Sequence, residues 1–365
     1  LQVNKSLKNA NRQYIIQSKW KDPNQGFPVA TLGPLSKALK NRYPHLVANY
    51  YRYDGVSSNV SKGNRSFREN LQIGDSTLLN MFGFTLLQGN AGTALQDPFT
   101  VVITKDKAIK YFGKTDVVGK TITIESFSGS KHDFLITGVL NPMPKNSVTS
   151  LIDNYPGDFY VSTDNLAFFG RNMDWQNPYI ANYIELQKGV GPKDLEKPIA
   201  YLEKQNAPPQ VAADLTPYLV SLKDFYLTEN NGVVQKMIYA LSAIALFILA
   251  MAIINFINMS VSRSAARMRE IGIRKVLDGL KRQLIIQFLT ESIIITLFAT
   301  VFAFLLYASV NKLFSSILGV RIPALNSFPF YFIAFPLLFI MLIGFIAGIY
   351  PAFVLSSLKS VESLK

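Results

Sequence analysis

The 365-residue chain contains no cysteine and only two histidines, His45 and His132. A zinc site needs three or four clustered ligands, and these two histidines stand 87 positions apart. A Gly-x-Ser-x-Gly turn, which would hold a nucleophilic serine, is also missing. We therefore expect no catalytic residue and no metal site in this chain.

Two short sequences, Gly113-Lys114-Thr115 and Gly119-Lys120-Thr121, resemble the end of a phosphate-binding loop. Such a loop also needs a glycine five residues before its Gly-Lys pair, so that backbone amides can surround the phosphates. Ala108 and Lys114 occupy those positions here. We expect no cofactor in this chain, and any ATP and magnesium would be bound by a partner protein.

Three long apolar runs, residues 237–259, 284–310 and 328–350, dominate the second half of the chain. About 20 apolar residues are enough for a helix to cross a bilayer, so each run predicts a membrane span. The sequence therefore predicts an integral membrane protein whose residues 236–365 form an α-helical transmembrane bundle.

Basic residues predict the orientation of these spans. Residues 263–282 contain seven Lys or Arg and two acids, which places this loop in the cytoplasm, and the tail after the third run is basic as well. Residues 1–235 then lie outside the cytoplasm. Because the first residues of the chain resemble no signal peptide, we expect a first span upstream of Leu1.

The net charge of +13 also raises the question of nucleic acid binding. Across residues 1–235, 25 basic residues face 20 acidic ones, without a dense basic run interleaved with aromatics. Membrane topology explains the remaining basic residues better than nucleic acid does, so we expect no nucleic acid partner.

Residues 1–235 show mixed helix and strand patterns and predict an α+β domain. The pattern predicts a helix over 32–43, a strand over 46–53 and a polar turn region over 57–64. The remaining predicted elements are a helix over 106–112, a helix over 192–205, and strands over 101–104, 121–124, 134–139, 179–186 and 215–222. Similar β–α–β arrangements near both ends suggest one part made of residues 1–75 and 178–228, with residues 76–177 inserted between.

Polar and small residues inside the apolar runs predict contacts between the spans. Asn255 and Asn258 suit hydrogen bonds between helices, and Glu291 suits a pairing with Arg282 or the basic loop. Gly344 and Gly348 are spaced for close helix contact. Six residues of these spans are expected to have structural roles: Asn255, Asn258, Glu291, Gly344, Gly348 and Pro351.

Residues 263–277, within the loop over residues 263–283, form an amphipathic helix if they are helical. Ala266, Ile273 and Leu277 then share one stripe, and an adjacent stripe is charged, with Glu270 four residues before Arg274. A merely solvated positive-inside loop explains the charge. It does not explain the apolar stripe, which needs a partner such as a protein groove or lipid headgroups.

Several motifs in both halves of the chain point to one known family. In the membrane half they are Asn255-Phe-Ile-Asn258, Arg269-Glu-Ile-Gly-Ile-Arg-Lys-Val-Leu277, Gln287-Phe-Leu-Thr-Glu291-Ser, and Gly344-Phe-Ile-Ala-Gly348-Ile-Tyr-Pro351-Ala. In the outer half they are Asp75-Ser-Thr-Leu-Leu-Asn-Met-Phe82, Val102-Ile-Thr104, Tyr111-Phe-Gly113 and Val118-Gly-Lys120. The chain resembles the FtsX/MacB-type ABC transporter permease, with a MacB-like periplasmic core domain. It departs from the family at Asp278, where a small residue is usual.

The resemblance implies an outer domain with porter and sabre subdomains and four spans, of which the third apolar run is the last. It implies a bacterial inner-membrane protein, working as a dimer with an ABC-type ATPase subunit. A periplasmic adaptor or substrate protein and the lipid bilayer are further expected partners. The coupling segment that contacts the ATPase would comprise Arg263, Arg267, Arg269, Glu270, Gly272, Ile273, Arg274, Lys275 and Leu277.

Three functions are compatible with this resemblance. The first is a mechanotransmission permease that uses ATP hydrolysed by its partner to export or extract peptides, lipoproteins or amphiphiles. The second is a non-transporting regulator of an extracytoplasmic enzyme such as a cell-wall hydrolase, and the third is a membrane-anchored sensor or scaffold without an ATPase. Co-purifying ATPase activity separates the third from the other two.

Overall fold

A computed structural model describes residue 4 and residues 7–22, 25–27, 29–142, 157–266, 281–318 and 322–331, with scattered positions from 334 to 345. The chain divides into two compact units. The first, Leu1–Met237, is called the outer unit here, and the second, Ile238–Lys365, is called the membrane unit.

The outer unit is an α+β structure. Its strands are β1 (Gln13–Trp20), β2 (Ala30–Thr31), β3 (Val47–Lys62), β4 (Arg65–Gly74), β5 (Leu86–Gly89), β6 (Thr100–Thr104), β7 (Thr121–Glu125), β8 (Lys131–Leu140), β9 (Phe159–Ser162), β10 (Ile180–Leu186) and β11 (Leu215–Ser221). Its helices are α1 (Leu35–Arg42), α2 (Leu78–Phe82), α3 (Lys105–Phe112), α4 (Glu196–Asn206) and α5 (Pro209–Asp214).

All of these strands belong to one mixed sheet in the order β11-β1-β10-β3-β4-β9-β6-β8-β5. Beside this path, β2 pairs with β10, and β7 pairs with both β3 and β8. The pairs β4–β9 and β6–β8 are parallel, and the other described pairs are antiparallel. The long strand β3 therefore connects the strands from the two ends of the unit with those from its middle.

Three hydrophobic clusters pack against this sheet. One joins α1 to α4 through buried Leu35, Leu39, Ile199 and Leu202, so helices from opposite ends of the unit share a core. A second gathers residues from β4, β6, β8 and β9 around α3. The third is rich in aromatic rings, with Tyr53 stacked on Tyr183 and Phe82 edge-on to Tyr51. Burial of these apolar surfaces is the main favourable contribution to the fold.

The type of most predicted elements in the outer unit is confirmed, including α1, α3, α4 and the strands β6, β7, β8, β10 and β11. Residues 192–195 begin the predicted 192–205 helix as a 3₁₀ turn. Gly113 ends α3 with a positive φ of 72°, a conformation that glycine adopts without steric cost.

The polar turn predicted over residues 57–64 is wrong for residues 57–62 and holds only for residues 63–64. Strand β3 continues through this segment to Lys62 and pairs with β4 in a hairpin whose turn is only Gly63-Asn64. Three consecutive polar residues misled the prediction, although burial alternates along them: Val56, Ser58 and Val60 are 7%, 6% and 0% exposed, and Ser57 and Asn59 are less buried. Such alternation is typical of a strand with one buried face.

The division of the outer domain into residues 1–75 with 178–228 and an insertion of residues 76–177 stays a prediction. Strands β1, β3, β10 and β11, from its two ends, are neighbours in the sheet, while β5, β6 and β8 lie beyond β4 and β9. The structure nevertheless forms one compact unit over Leu1–Met237.

Within the described residues, two helices are long and apolar enough to cross a membrane. They are α6 (Leu222–Ala266) and α7 (Lys281–Leu318), with candidate spans Gly232–Met259 and Ile285–Ile317. These overlap the predicted spans 237–259 and 284–310. The third predicted span, 328–350, lies largely outside the described residues.

Candidate functional site

The chain leaves the outer sheet directly into the first candidate span. Strand β11 ends at Ser221 and α6 begins at the next residue, Leu222. Leu222 and Phe225 are 0% and 1% exposed and belong to the aromatic-rich core of the outer unit. The carbonyl of Leu222 also accepts a hydrogen bond of 2.9 Å from Asn4 Nδ2. The first turn of α6 is therefore fixed in the outer core.

Gly232 interrupts the regular geometry of α6. Its φ is +70°, far from the value of about −63° in a right-handed helix. A Cβ at this position would meet no atom closer than 3.7 Å, so space does not exclude a side chain. The backbone conformation disfavours a side chain, because a residue with a Cβ pays about 1–2 kcal/mol in the left-handed region. Gly232 thus breaks the regular helix geometry at the start of the candidate span, a position that we call the joint, and the sequence analysis missed it.

The predicted intramembrane residues fall on both long helices. Asn255 and Asn258 lie on α6 with exposed side chains, whereas Glu291 lies on α7, is half-buried and has an interaction partner. Gly344, Gly348 and Pro351 lie outside the described residues. The predicted roles of all six residues stay predictions.

A polar stripe on α7 also escaped the sequence analysis. Ser292 and Thr300 are 3% and 4% exposed, and Thr296 lies one turn from each. The hydroxyl of Thr296 donates to the Ser292 carbonyl at 2.9 Å, and that of Thr300 donates to the Thr296 carbonyl at 2.7 Å. Small residues spaced by four are typical of close helix contact in membranes, and this spacing was visible in the sequence.

The predicted coupling segment is mostly outside the described residues. Arg263 lies in the last turns of α6, but its side chain is not described. The other members, from Arg267 to Leu277, fall between α6 and α7 and are outside the described residues as well. Their role in binding a partner stays a prediction.

The outer unit holds a buried charge cluster around Glu69, which is 5% exposed. Glu69 accepts hydrogen bonds from Lys107, from Lys110 at 2.6 Å and from the Tyr111 hydroxyl at 2.9 Å. Burial raises the pKa of Glu69, but these bonds outweigh burial and hold its pKa below the usual value. Burial, and to a smaller extent the hydrogen bond to Glu69, raises the pKa of the Tyr111 hydroxyl. The cluster joins α3 to β4.

One buried ion pair, Arg52–Asp75, and one pair between buried Asp54 and exposed Arg171 stabilise β3. Arg52 and Asp75 form a bidentate pair, with Nε to Oδ2 at 2.9 Å and Nη2 to Oδ1 at 2.8 Å. Arg171 pairs similarly with Asp54, which is 3% exposed. Hydrogen bonds to the partner raise the pKa of Arg171. Among the residues that the structure describes, no group of three or more His, Asp or Glu is placed to hold a metal ion.

Both units match known families. Residues 1–216 match the MacB-like periplasmic core domain, and residues 242–359 match the FtsX-like permease C-terminal domain. Together with two apolar helices after an α+β unit, these matches define an ABC transporter permease. The chain belongs to the family with a MacB-like periplasmic core domain and an FtsX-like permease domain.

Relatives of known sequence include an ABC transporter permease from Bacillus subtilis, YknZ, described as uncharacterized. It is 32% identical over 72% of this chain and 61% of its own length. The macrolide export ATP-binding/permease protein MacB from Pasteurella multocida is 24% identical over 94% of this chain and 50% of its own length. The chain thus spans little more than half the length of these relatives.

Among solved structures, the periplasmic region of MacB from Actinobacillus actinomycetemcomitans resembles this chain. The likeness covers 62% of this chain and 95% of that structure, at 15% identity and a TM-score of 0.44.

Proposed function

We propose that this permease couples ATP hydrolysis by a partner ATPase to movement of its outer unit, and thereby exports or extracts peptides, lipoproteins or amphiphiles. The ATPase subunit would bind the ATP and magnesium, so this chain would carry no catalytic residue. The name of the Pasteurella relative, which joins ATP-binding and permease functions, supports the pairing with an ATPase.

The observation that carries this proposal is the path of α6. Its first turn is fixed in the outer core through Leu222 and Phe225, and the same helix continues as the candidate span Gly232–Met259. A force applied to the cytoplasmic end of this helix would reach the outer sheet without passing through a loop. A helix is suited to this role because its hydrogen bonds run along its axis.

The proposed membrane arrangement has four spans in the bacterial inner membrane, and two copies of the permease form the working unit. The outer domain would contain porter and sabre subdomains, and a periplasmic adaptor or substrate protein would contact it. The predicted span over residues 328–350 is one of the four.

The proposed contact with the ATPase is the coupling segment, residues 263–277. Its support is the amphipathic pattern and the basic charge of the segment between two spans. A ridge packed in a protein groove tolerates neither added volume nor repulsion between like charges. Replacing Gly272 by a bulky residue, or reversing the charge at Arg267 and Arg274, is therefore expected to uncouple the ATPase.

The test measures ATPase association by pull-down and export or extraction in cells. The charge reversal leaves five of the seven basic residues, so membrane insertion should persist. Reversal at Lys359 and Lys365 in the tail is the matched control and should leave ATPase binding intact. If the coupling-segment variants bind the ATPase and work normally, the segment is only a topological anchor.

A further inference from the structure

Positive charge is concentrated where the β3–β4 hairpin meets the carboxyl end of α3. We call this surface the basic patch. Its members come from three separate stretches of the chain, which the fold brings together. They are Lys62 and Arg65 beside the hairpin turn, Lys110 and Lys114 at the end of α3, and Lys120 before β7.

Aromatic rings hold three of these ammonium groups in place. Lys62 Nζ and Lys120 Nζ each lie 5.7 Å from the centre of the Phe112 ring, and Lys110 Nζ lies 3.9 Å from the centre of the Phe67 ring. Cation–π contacts restrict lysine side chains that otherwise occupy many rotamers. The charges are therefore arranged before a ligand arrives, which reduces the entropic cost of binding.

The positive charge of the patch is largely uncompensated. Within the described parts of the chain, Lys62, Lys114 and Lys120 form no ion pair with a carboxylate. Glu69 is in contact with Lys110, but this carboxylate is buried and also pairs with Lys107. These three lysines are thus outside the ion pairs of the described structure, and the acid nearest to them in sequence is exposed Asp116, two residues after Lys114.

Local structure explains only part of this charge. Arg65 Nη1 donates to the Lys110 carbonyl at 3.0 Å, which satisfies a free carbonyl at the end of α3. Cations near a helix carboxyl end are also favoured by the helix dipole. Neither reason applies to Lys62 on a strand or to Lys120 in a loop, although both flank the same ring.

The patch is remote from the point where the chain leaves the outer sheet. In the sheet, Asn49 of β3 pairs with Glu185 of β10, and Glu185 pairs with Gln13 of β1. Gln13 lies beside the end of β11, where the chain leaves the sheet. From Asn49 to Lys62 the strand rises by about 3.3 Å per residue, or roughly 40 Å in all. The basic patch and the exit of the chain are therefore separate features of the outer unit.

We propose that the basic patch binds a soluble polyanion through its phosphate groups. Two ammonium groups on one ring, with Lys114 and Arg65 beside them, match a chain of repeated negative charges. Lysine binds phosphate as a point charge, and the exposed side chain of Ile109 adds apolar contact at the edge of the patch. This binding requires no nucleotide and no ATPase, so it can be tested independently of the proposed coupling to an ATPase.

The test measures binding of fluorescent inorganic polyphosphate to the full chain in nanodiscs of zwitterionic phosphatidylcholine, without ATP. The double variant Lys62→Gln/Lys120→Gln should weaken binding at least about tenfold, and affinity of the wild type should fall with rising salt. The matched control is Lys193→Gln/Lys197→Gln, which removes two exposed lysines near α4. It should bind like the wild type.

A second variant protects the test against misfolding. In the described structure, Lys114 forms neither a cation–π contact nor an ion pair. Lys114→Gln should therefore weaken binding severalfold and leave the unfolding curve unchanged. Equal binding by patch and control variants would overturn the proposal. So would a wild type that binds phosphatidylglycerol vesicles but not polyphosphate, because a bilayer surface would then be the ligand.

Discussion

The Arg52–Asp75 pair offers a direct test of how β3 is stabilised. The two residues are 6% and 5% exposed, and Asp75 Oδ2 also accepts from the Arg52 backbone N–H at 2.9 Å. Removing one partner of a buried ion pair leaves an uncompensated charge, which costs about 3–5 kcal/mol. We expect Asp75→Ala to lower the free energy of unfolding of the outer unit by that amount.

The double variant Asp75→Ala/Arg52→Met should be more stable than Asp75→Ala alone. Buried ion pairs are often replaced by apolar residues at little cost, so the second change should recover about 2 kcal/mol. Arg52 Nη1 also donates to the Gly33 carbonyl at 3.1 Å, and losing this bond prevents full recovery.

Urea unfolding of the full chain in detergent micelles measures these differences. The only two tryptophans, Trp20 and Trp175, both lie in the outer unit, so their fluorescence reports this unit alone. Asp116→Ala, at an exposed acid, is the control and should change stability by less than about 0.5 kcal/mol. If Asp75→Ala behaves like this control, the pair does not stabilise the unit.

Two further predictions concern Glu203 and Gly232. Burial raises the pKa of Glu203 from 4.5 to about 7, so the free energy of unfolding should fall as pH rises between these values. Glu203→Gln should remove this dependence and add about 1–2 kcal/mol of stability at pH 8, after allowance for solvent screening. A difference in urea unfolding that does not change with pH would refute this prediction. Gly232→Ala should favour a regular helix by up to about 1 kcal/mol. Tilting of the span would then reach the outer sheet and should reduce ATP-dependent export at unchanged expression, while normal export would show that the joint is dispensable.

The fold of the outer unit was predictable where local chemistry agrees with tertiary structure. Helix α3 has a helical pattern and ends at a glycine, and Gly113 indeed adopts the left-handed conformation that ends it. Strand β3 was cut short in the prediction because its exposed face is rich in serine and asparagine. Its buried face carries Ser58 and only two apolar residues in this region, Val56 and Val60, too few to outweigh the turn signals.

The candidate sites were predictable to different degrees. Charge and apolar runs in the sequence predict the spans and the coupling segment, because both are local properties. The basic patch was not predictable, since Lys62, Phe112 and Lys120 meet only after β3, α3 and β7 have packed together. Gly232 was visible as a residue, but its positive φ is a property of the folded helix.

The joint at Gly232 limits what kind of movement α6 can transmit under the proposed coupling. Gly232 lies ten residues after Leu222, about 15 Å along the helix axis, and the Leu222 end of this segment is fixed in the outer core. A bending force on the span would be absorbed at a single residue with freely chosen φ. A pull along the helix axis would pass through it, because the chain cannot lengthen appreciably at one residue. Coupling through α6 should therefore rely on axial displacement, and tilting of the span alone should leave the outer sheet in place.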